Sequence, residues 1–127
     1  MDSEEARRIA QSWIRLHFAK QGSPEYEVEF WSFEAINELT HKKPSEAMAV
    51  ILEIAAIDSS DAILGNLGAG PIEDLLLYHE PFIMDRVEAE VRKNPPLRRA
   101  LKAVWLDPDE SPICERLNKI VEHDPPL

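Results

Sequence analysis

The sequence predicts an all-α fold of seven or eight short helices, and three observations support this. The stretch Ala47–Ile57 (AMAVILEIAAI) holds eleven residues with one charge, and its four alanines favour a helix over a strand. The 127 residues include only four glycines. Prolines are tolerated in the first turn of a helix, and five of them stand where we expect helices to begin. These are prolines 44, 71, 81, 95 and 112.

The stretch Ala47–Ile57 predicts the central helix of the fold, beginning at Pro44. Glu53 is its one charged residue, so a helix here has almost no polar face. We therefore expect protein on nearly all its sides.

Two amphipathic helices are expected before this central one. The first is capped by Asp2 or Ser3 and ends before the breaker Gln21-Gly22-Ser23-Pro24. The second runs from about Val28 to Thr40. Its expected apolar positions include Phe30, Phe33, Ile36 and Leu39.

The remaining helices are shorter and follow the central helix closely. They are expected at Asp61–Leu67, from Gly70-Pro71, from Pro81 to about Lys93, from Asn94-Pro95 through Trp105, and after Ser111-Pro112. Short loops make neighbouring helices pack as antiparallel or steeply crossed pairs. The chain is thus expected to form either a compact bundle or a short α-solenoid of the HEAT type. By length, residues 1–127 should form a single domain.

The negative charge is concentrated in the middle of the chain. The formal net charge is −10, and residues 25–90 carry fifteen acidic and three basic side chains. Such a surface repels nucleic acid and anionic lipid, and it attracts a basic protein. The alternative interpretation is an acidic surface that only promotes solubility.

Cysteine usage and the absence of long apolar runs indicate a cytoplasmic protein. Cys114 is the one cysteine and is expected to be a small core residue. The N-terminus lacks the apolar region of a secretory signal, and no apolar run approaches the length of a membrane span. We expect no membrane partner, and a monomer or weak homodimer.

The string Leu67–Leu77 (LGAGPIEDLLL) is the most distinctive motif. Glycines before a helix N-terminus can hold a phosphate, but here the Lys-Ser/Thr of a phosphate-binding loop is missing. Glu73 and Asp74 also occupy the positive end of the expected helix and would repel an anion. We interpret the string as a tight corner between two helices. The functional alternative is a protein or cation contact at Glu73 and Asp74.

The same helix contains the best candidates for acid–base or metal chemistry. Glu73, Leu77 and Glu80 share one face of it, whereas His79 lies on another. These groups therefore do not converge on one ion, and no H-E-x-x-H, C-x-x-C or D-x-D-x-D-G pattern occurs. We expect no metal, no cofactor and no catalytic residues.

Tryptophans 13, 31 and 105 are spread along the chain, one in each region. This spacing is typical of core anchors, and the alternative is that one of them is an exposed binding hot spot. His17 and His79 are expected to be partly buried.

Three strings suggest a family resemblance. They are AGPIEDLL at 69–76, EAMAVILEIA at 46–55 and LRRALKAVW at 97–105. They resemble an uncharacterised bacterial family of domains of unknown function with an A-G-P-[LI]-E-D-L-L helix corner. In that family a glycine follows the helix histidine, where this chain has Glu80-Pro81. The resemblance implies a small, bacterial, all-helical cytosolic protein and assigns no catalytic residue.

The sequence thus favours a non-catalytic, acidic protein-interaction module. Glu34, Glu38, Glu73 and Asp74 are its candidate contacts, and a basic protein is its expected partner. One form of such a module is an immunity- or antitoxin-like inhibitor of a basic effector. Two alternatives remain open: an enzyme of unrecognised type with a carboxylate site around Glu73 and Asp74, and a structural subunit or homodimer.

Overall fold

The computed structural model describes residues Met1–Leu127 and contains helices and turns without any β-strand. The all-α prediction is confirmed. The chain divides into two compact units, Met1–Ser59 (unit 1) and Ser60–Leu127 (unit 2). None of the helices combines the length and the apolar character that crossing a bilayer requires. The single-domain expectation stays a prediction.

Unit 1 is built around its last helix. Its helices are α1 (Ser3–Phe18), α2 (Pro24–Glu29), α3 (Trp31–Lys42) and α4 (Pro44–Ile57). Helix α4 packs against α1 and α3. Its buried side chains are Ala47, Met48, Val50, Ile51, Ile54 and Ala55. The predicted buried central helix is therefore confirmed over most of its length, and its exposed residues lie at its two ends: Ser45 in the first turn, and Ala56 and Ile57 in the last.

The predicted start of α1 is confirmed. The Asp2 carboxylate accepts a hydrogen bond from the backbone N–H of Glu5 at 2.7 Å, which satisfies one of the free donors of the first turn. Trp13 is 2% exposed and anchors the inward face of this helix. His17 is half-buried beside it, with the two ring centroids 3.8 Å apart.

The predicted second helix, Val28–Thr40, is wrong in its extent, because the chain forms two helices that meet at Phe30. Helix α2 begins earlier than the apolar pattern indicates, since Ser23 caps it and Pro24 fits its first position. Phe33, expected in the core, is 49% exposed and stacks on Phe30 with centroids 5.4 Å apart.

Unit 2 contains shorter helices with more irregular connections. In chain order they are α5 (Asp61–Leu67), a π-helical turn (Gly68–Ile72), α6 (Glu73–His79), α7 (Phe82–Val91), α8 (Pro95–Ala100), a 3-10 turn (Leu101–Ala103) and α9 (Cys114–Val121). Side chains with no exposed surface in its core include Ile63, Leu64, Leu67, Leu75, Leu76, Ile83 and Met84. Cys114 is also buried, as predicted.

The predicted corner at Gly70-Pro71 is wrong, because the helix passes through this point without a break. The π-helical turn accommodates Pro71, which lacks the N–H that an ordinary α-helical turn would use. Gly68 lets this turn lie directly against the backbone of α8, where a Cβ atom would collide with the carbonyl oxygen of Ala100. Gly68 therefore serves close packing rather than a change of direction.

The predicted continuation of α8 through Trp105 is also wrong. The helix ends at Ala100, and after the 3-10 turn Val104 is extended, with φ −75° and ψ 129°. Trp105 is consequently 68% exposed and is not a core anchor. It begins a segment without helical structure, Trp105–Ser111, which we call the strap.

Candidate functional site

The strongest candidate site is a cleft in unit 2 between α6 and the strap. Its volume is 410 Å³. It is lined by Glu73, Leu77 and Glu80 on the α6 side and by Trp105, Asp107, Glu110 and Ser111 on the strap side. We call it the acidic cleft, because four of these seven side chains are carboxylates.

Two hydrogen bonds hold the strap against α6. The Trp105 backbone N–H donates to Glu73 Oε1 at 2.7 Å, and the Ser111 hydroxyl donates to Glu80 Oε2 at 3.3 Å. Each glutamate uses one carboxylate oxygen in this way. The two walls of the cleft are thereby fixed at both ends of the strap.

The carboxylates of the acidic cleft have no cationic partner within the chain. None of the four takes part in a salt bridge. Other carboxylates of unit 2 do form ion pairs: Arg116 bonds to Asp85 at 2.6 Å and to Glu88 at 2.5 Å. Both bonds, and chiefly the one to Glu88, raise the pKa of Arg116 above its ordinary value. The acidic cleft therefore brings together four carboxylates that form no salt bridge.

The acidic cleft also presents apolar surface. The Trp105 indole is 68% exposed and the Leu77 side chain is 50% exposed. An exposed aromatic face attracts cations through its quadrupole, and carboxylates nearby add to this attraction. Aliphatic stems of lysine and arginine can pack on such surface while their charged ends reach carboxylates. The chemistry of the cleft is thus matched to basic side chains.

The carboxylates are spread along the cleft rather than gathered around one point. Glu73 and Glu80 are seven residues apart, which places them roughly 10 Å apart along the helix axis. The chain contains no group of three His, Cys, Asp or Glu side chains arranged to hold a metal ion. The arrangement suits several separate cationic groups.

The sequence-predicted contacts fall in different parts of the chain. Glu73 lies in the acidic cleft, whereas Asp74, next to it on α6, is not among the lining residues. Glu34 and Glu38 are exposed on α3 of unit 1, where Glu38 accepts a hydrogen bond from Lys42 at 3.3 Å.

Sequence reasoning missed the strap side of the cleft. Trp105 is predicted as a core anchor of a helix, and no role is predicted for the acidic residues of Asp107–Glu110 (DPDE). The available signal was the proximity in sequence of a tryptophan to three acidic residues. Because the predicted helix includes Trp105, this proximity is not interpreted as a site.

Unit 1 contains a second groove, between α1 and α2, with a volume of 540 Å³. Its apolar walls include Phe18 and Val28, which are 61% and 68% exposed. At its rim Arg15 and Glu29 form a salt bridge at 3.0 Å. This groove is larger than the acidic cleft, but Arg15 and Glu29 neutralise each other, which leaves Glu25 as its one carboxylate without a salt bridge.

Comparison with known proteins places the chain in a family. A model described as a family of unknown function, DUF6869, matches residues 19–124. The chain belongs to this family. The match includes both walls of the acidic cleft and the AGPIEDLL string, so the inferred resemblance to a family of unknown function is confirmed. No curated protein and no solved structure shows significant similarity to the chain.

Proposed function

We propose that the protein is a non-catalytic interaction module that binds a basic segment of a partner protein in the acidic cleft of unit 2. The observation that carries this proposal is the coincidence of four unpaired carboxylates with an exposed tryptophan on one cleft. Charge complementarity of this kind speeds association with a positively charged partner and disfavours negatively charged ones.

The form of this function that we propose is inhibition of a basic effector, as in an immunity or antitoxin protein. The net charge of −10 favours a partner of opposite charge well beyond direct contact. A fixed cleft limits the entropy lost on binding, because the strap is already tied to α6.

The test compares two double variants that remove the same amount of charge. Glu80→Gln with Glu110→Gln alters the acidic cleft, and Glu34→Gln with Glu38→Gln alters α3 of unit 1. Glutamine retains the oxygen that can accept the Ser111 hydroxyl, so the strap should stay in place. Each variant and the wild-type chain are used as bait for capture from the native host, with mass spectrometry of the bound proteins.

We expect a basic protein that elutes with salt, is retained by the α3 variant and is lost by the cleft variant. If only the α3 variant loses the partner, the binding site includes Glu34 and Glu38 and not the acidic cleft. A partner that stays bound in about 1 M salt, where charges are screened within roughly 3 Å, would contradict electrostatic recognition.

A further inference from the structure

We infer that the acidic cleft recognises a basic amphipathic helix with two cationic side chains seven positions apart and an apolar side chain between them. This inference rests on the proposed function and adds the conformation and spacing of the bound segment. It follows from the way the cleft arranges its charges.

One wall of the cleft is a stripe that runs along α6 to the residue capping its C-terminus. Glu73 and Leu77 on α6 and Glu80 at its C-cap stand at positions i, i+4 and i+7, and all three line the cleft. The Cα atoms of the two glutamates are therefore separated by roughly 10 Å along the helix axis, with Leu77 between them. Leu77 is half exposed, and the exposed Trp105 indole adds apolar surface from the strap side.

Each end of the stripe has one carboxylate oxygen available for a ligand. Glu73 uses Oε1 for the Trp105 N–H, and Glu80 uses Oε2 for the Ser111 hydroxyl. These bonds fix the positions of both carboxylates, so the spacing between them is a property of the site. A partner must bring its two cations to that spacing.

A helical partner meets this spacing better than an extended one. In a helix, positions i and i+7 lie on one face roughly 10 Å apart, and position i+4 lies between them on the same face. In an extended chain, side chains on one side recur every 7 Å or so, which gives separations of about 7 or 13 Å. A helix also satisfies its own backbone hydrogen bonds, and this all-helical protein has no strand edge to pair with an extended peptide.

The experiment measures binding of three labelled, alanine-based peptides of about 18 residues to the full-length chain by fluorescence anisotropy. The first has arginines seven positions apart with leucine at the fourth position after the first arginine. The second has the same composition, with arginines five apart and so on opposite faces. The third is the first peptide with a central proline that breaks the helix.

We expect the first peptide to bind at least about tenfold more tightly than either of the other two, and Glu80→Gln to remove most of this preference. Glu38→Gln, an equal change of charge in unit 1, should leave the preference intact. Equal binding of the three peptides, all above an acidic control peptide, would overturn the helical inference and leave the proposed function standing. Binding of all three at the level of the acidic peptide would overturn both.

Discussion

The two units carry the same formal charge but arrange it differently. Unit 1 has eleven acidic and six basic residues and unit 2 has thirteen and eight, so each has a net charge of −5. The groove of unit 1 has a salt bridge, Arg15–Glu29, at its rim, whereas the acidic cleft of unit 2 has four carboxylates without one. Net charge therefore does not distinguish the two units, whereas the pairing of charges along the groove and the cleft does.

The tryptophans of the two units also differ. Trp13 in unit 1 is 2% exposed, and Trp105 in unit 2 is 68% exposed. Trp13 belongs to a core, whereas we propose Trp105 as a ligand contact. The following substitutions test whether the two units differ in this way.

Trp13→Ala should have the largest effect on stability. Removing this buried side chain leaves a cavity in the core of unit 1, and we expect a loss of about 3–5 kcal/mol in the free energy of unfolding. Denaturant unfolding measures the loss, and hydrogen exchange should place it in unit 1. A loss below about 1 kcal/mol would contradict the core role of Trp13.

Gly68→Ala should destabilise unit 2 by about 1–3 kcal/mol, because the new Cβ collides with the backbone of Ala100. Gly65→Ala in α5 is the matched control, since a Cβ there meets only the Leu127 side chain, at an ordinary contact distance of 4.0 Å. Replacing glycine by alanine in an unobstructed helix is expected to stabilise by about 0.5–1 kcal/mol. The melting temperatures of the two variants should therefore shift in opposite directions from that of the wild type. Shifts in the same direction would show that the π-helical turn does not pack against α8 as described.

Glu29→Gln should lower the stability of unit 1 by about 1–2 kcal/mol at pH 7. The carboxylate accepts hydrogen bonds from Arg15 at 3.0 Å and from Ser12 at 2.7 Å, which hold the pKa of Glu29 below its ordinary value of 4.5. A depressed pKa stabilises the folded chain above the ordinary pKa, and this stabilisation is lost as the pH falls through the folded value.

The difference between wild type and Glu29→Gln should therefore be constant above about pH 5 and shrink below pH 4 or so. Denaturant unfolding at a series of pH values measures this, with Glu38→Gln as the control. Because Glu38 and Lys42 are both well exposed, that variant should change stability by less than about 0.5 kcal/mol. A stability difference between the two chains that grows as the pH falls would contradict a lowered pKa of Glu29.

Trp105→Ala should have the smallest effect on stability and a clear effect on binding. The indole is mostly exposed, and its backbone N–H bond to Glu73 survives the substitution. We expect the free energy of unfolding to stay within about 0.5 kcal/mol of the wild-type value. Binding of a basic partner should weaken roughly tenfold or more. Unchanged binding would show that the Trp105 side chain does not contact the partner.

Sequence patterns predicted the features of this fold that depend on composition and periodicity. The buried helix α4 follows from eleven residues with one charge, and the cap at Asp2 follows from local chemistry. The π-helical turn does not follow in this way, because Gly-x-Gly-Pro fits a corner as well as a continuous helix. Only the contact of Gly68 with the backbone at Ala100, distant in sequence, decides between the two.

The acidic cleft was predicted only in part, because one of its two walls depends on more than helical periodicity. Glu73 and Leu77 lie on α6 and Glu80 caps its C-terminus, so helical periodicity was enough to place the three on one face. The opposite wall depends on where α8 ends, and the apolar residues Leu101, Val104 and Trp105 extended the helical pattern beyond the real end at Ala100. Sequence periodicity could not show that Trp105 would lie in the strap opposite α6.

The most direct test of the central claim is the salt dependence of partner binding by the wild-type chain and by the Glu80→Gln, Glu110→Gln variant. If unpaired carboxylates attract the partner, affinity for the wild type should fall steadily between about 0.05 and 1 M salt as the charges are screened. The slope of log Kd against log salt should be shallower for the variant. Equal slopes for the two chains, or binding of the wild type that does not change with salt, would contradict recognition by the acidic cleft.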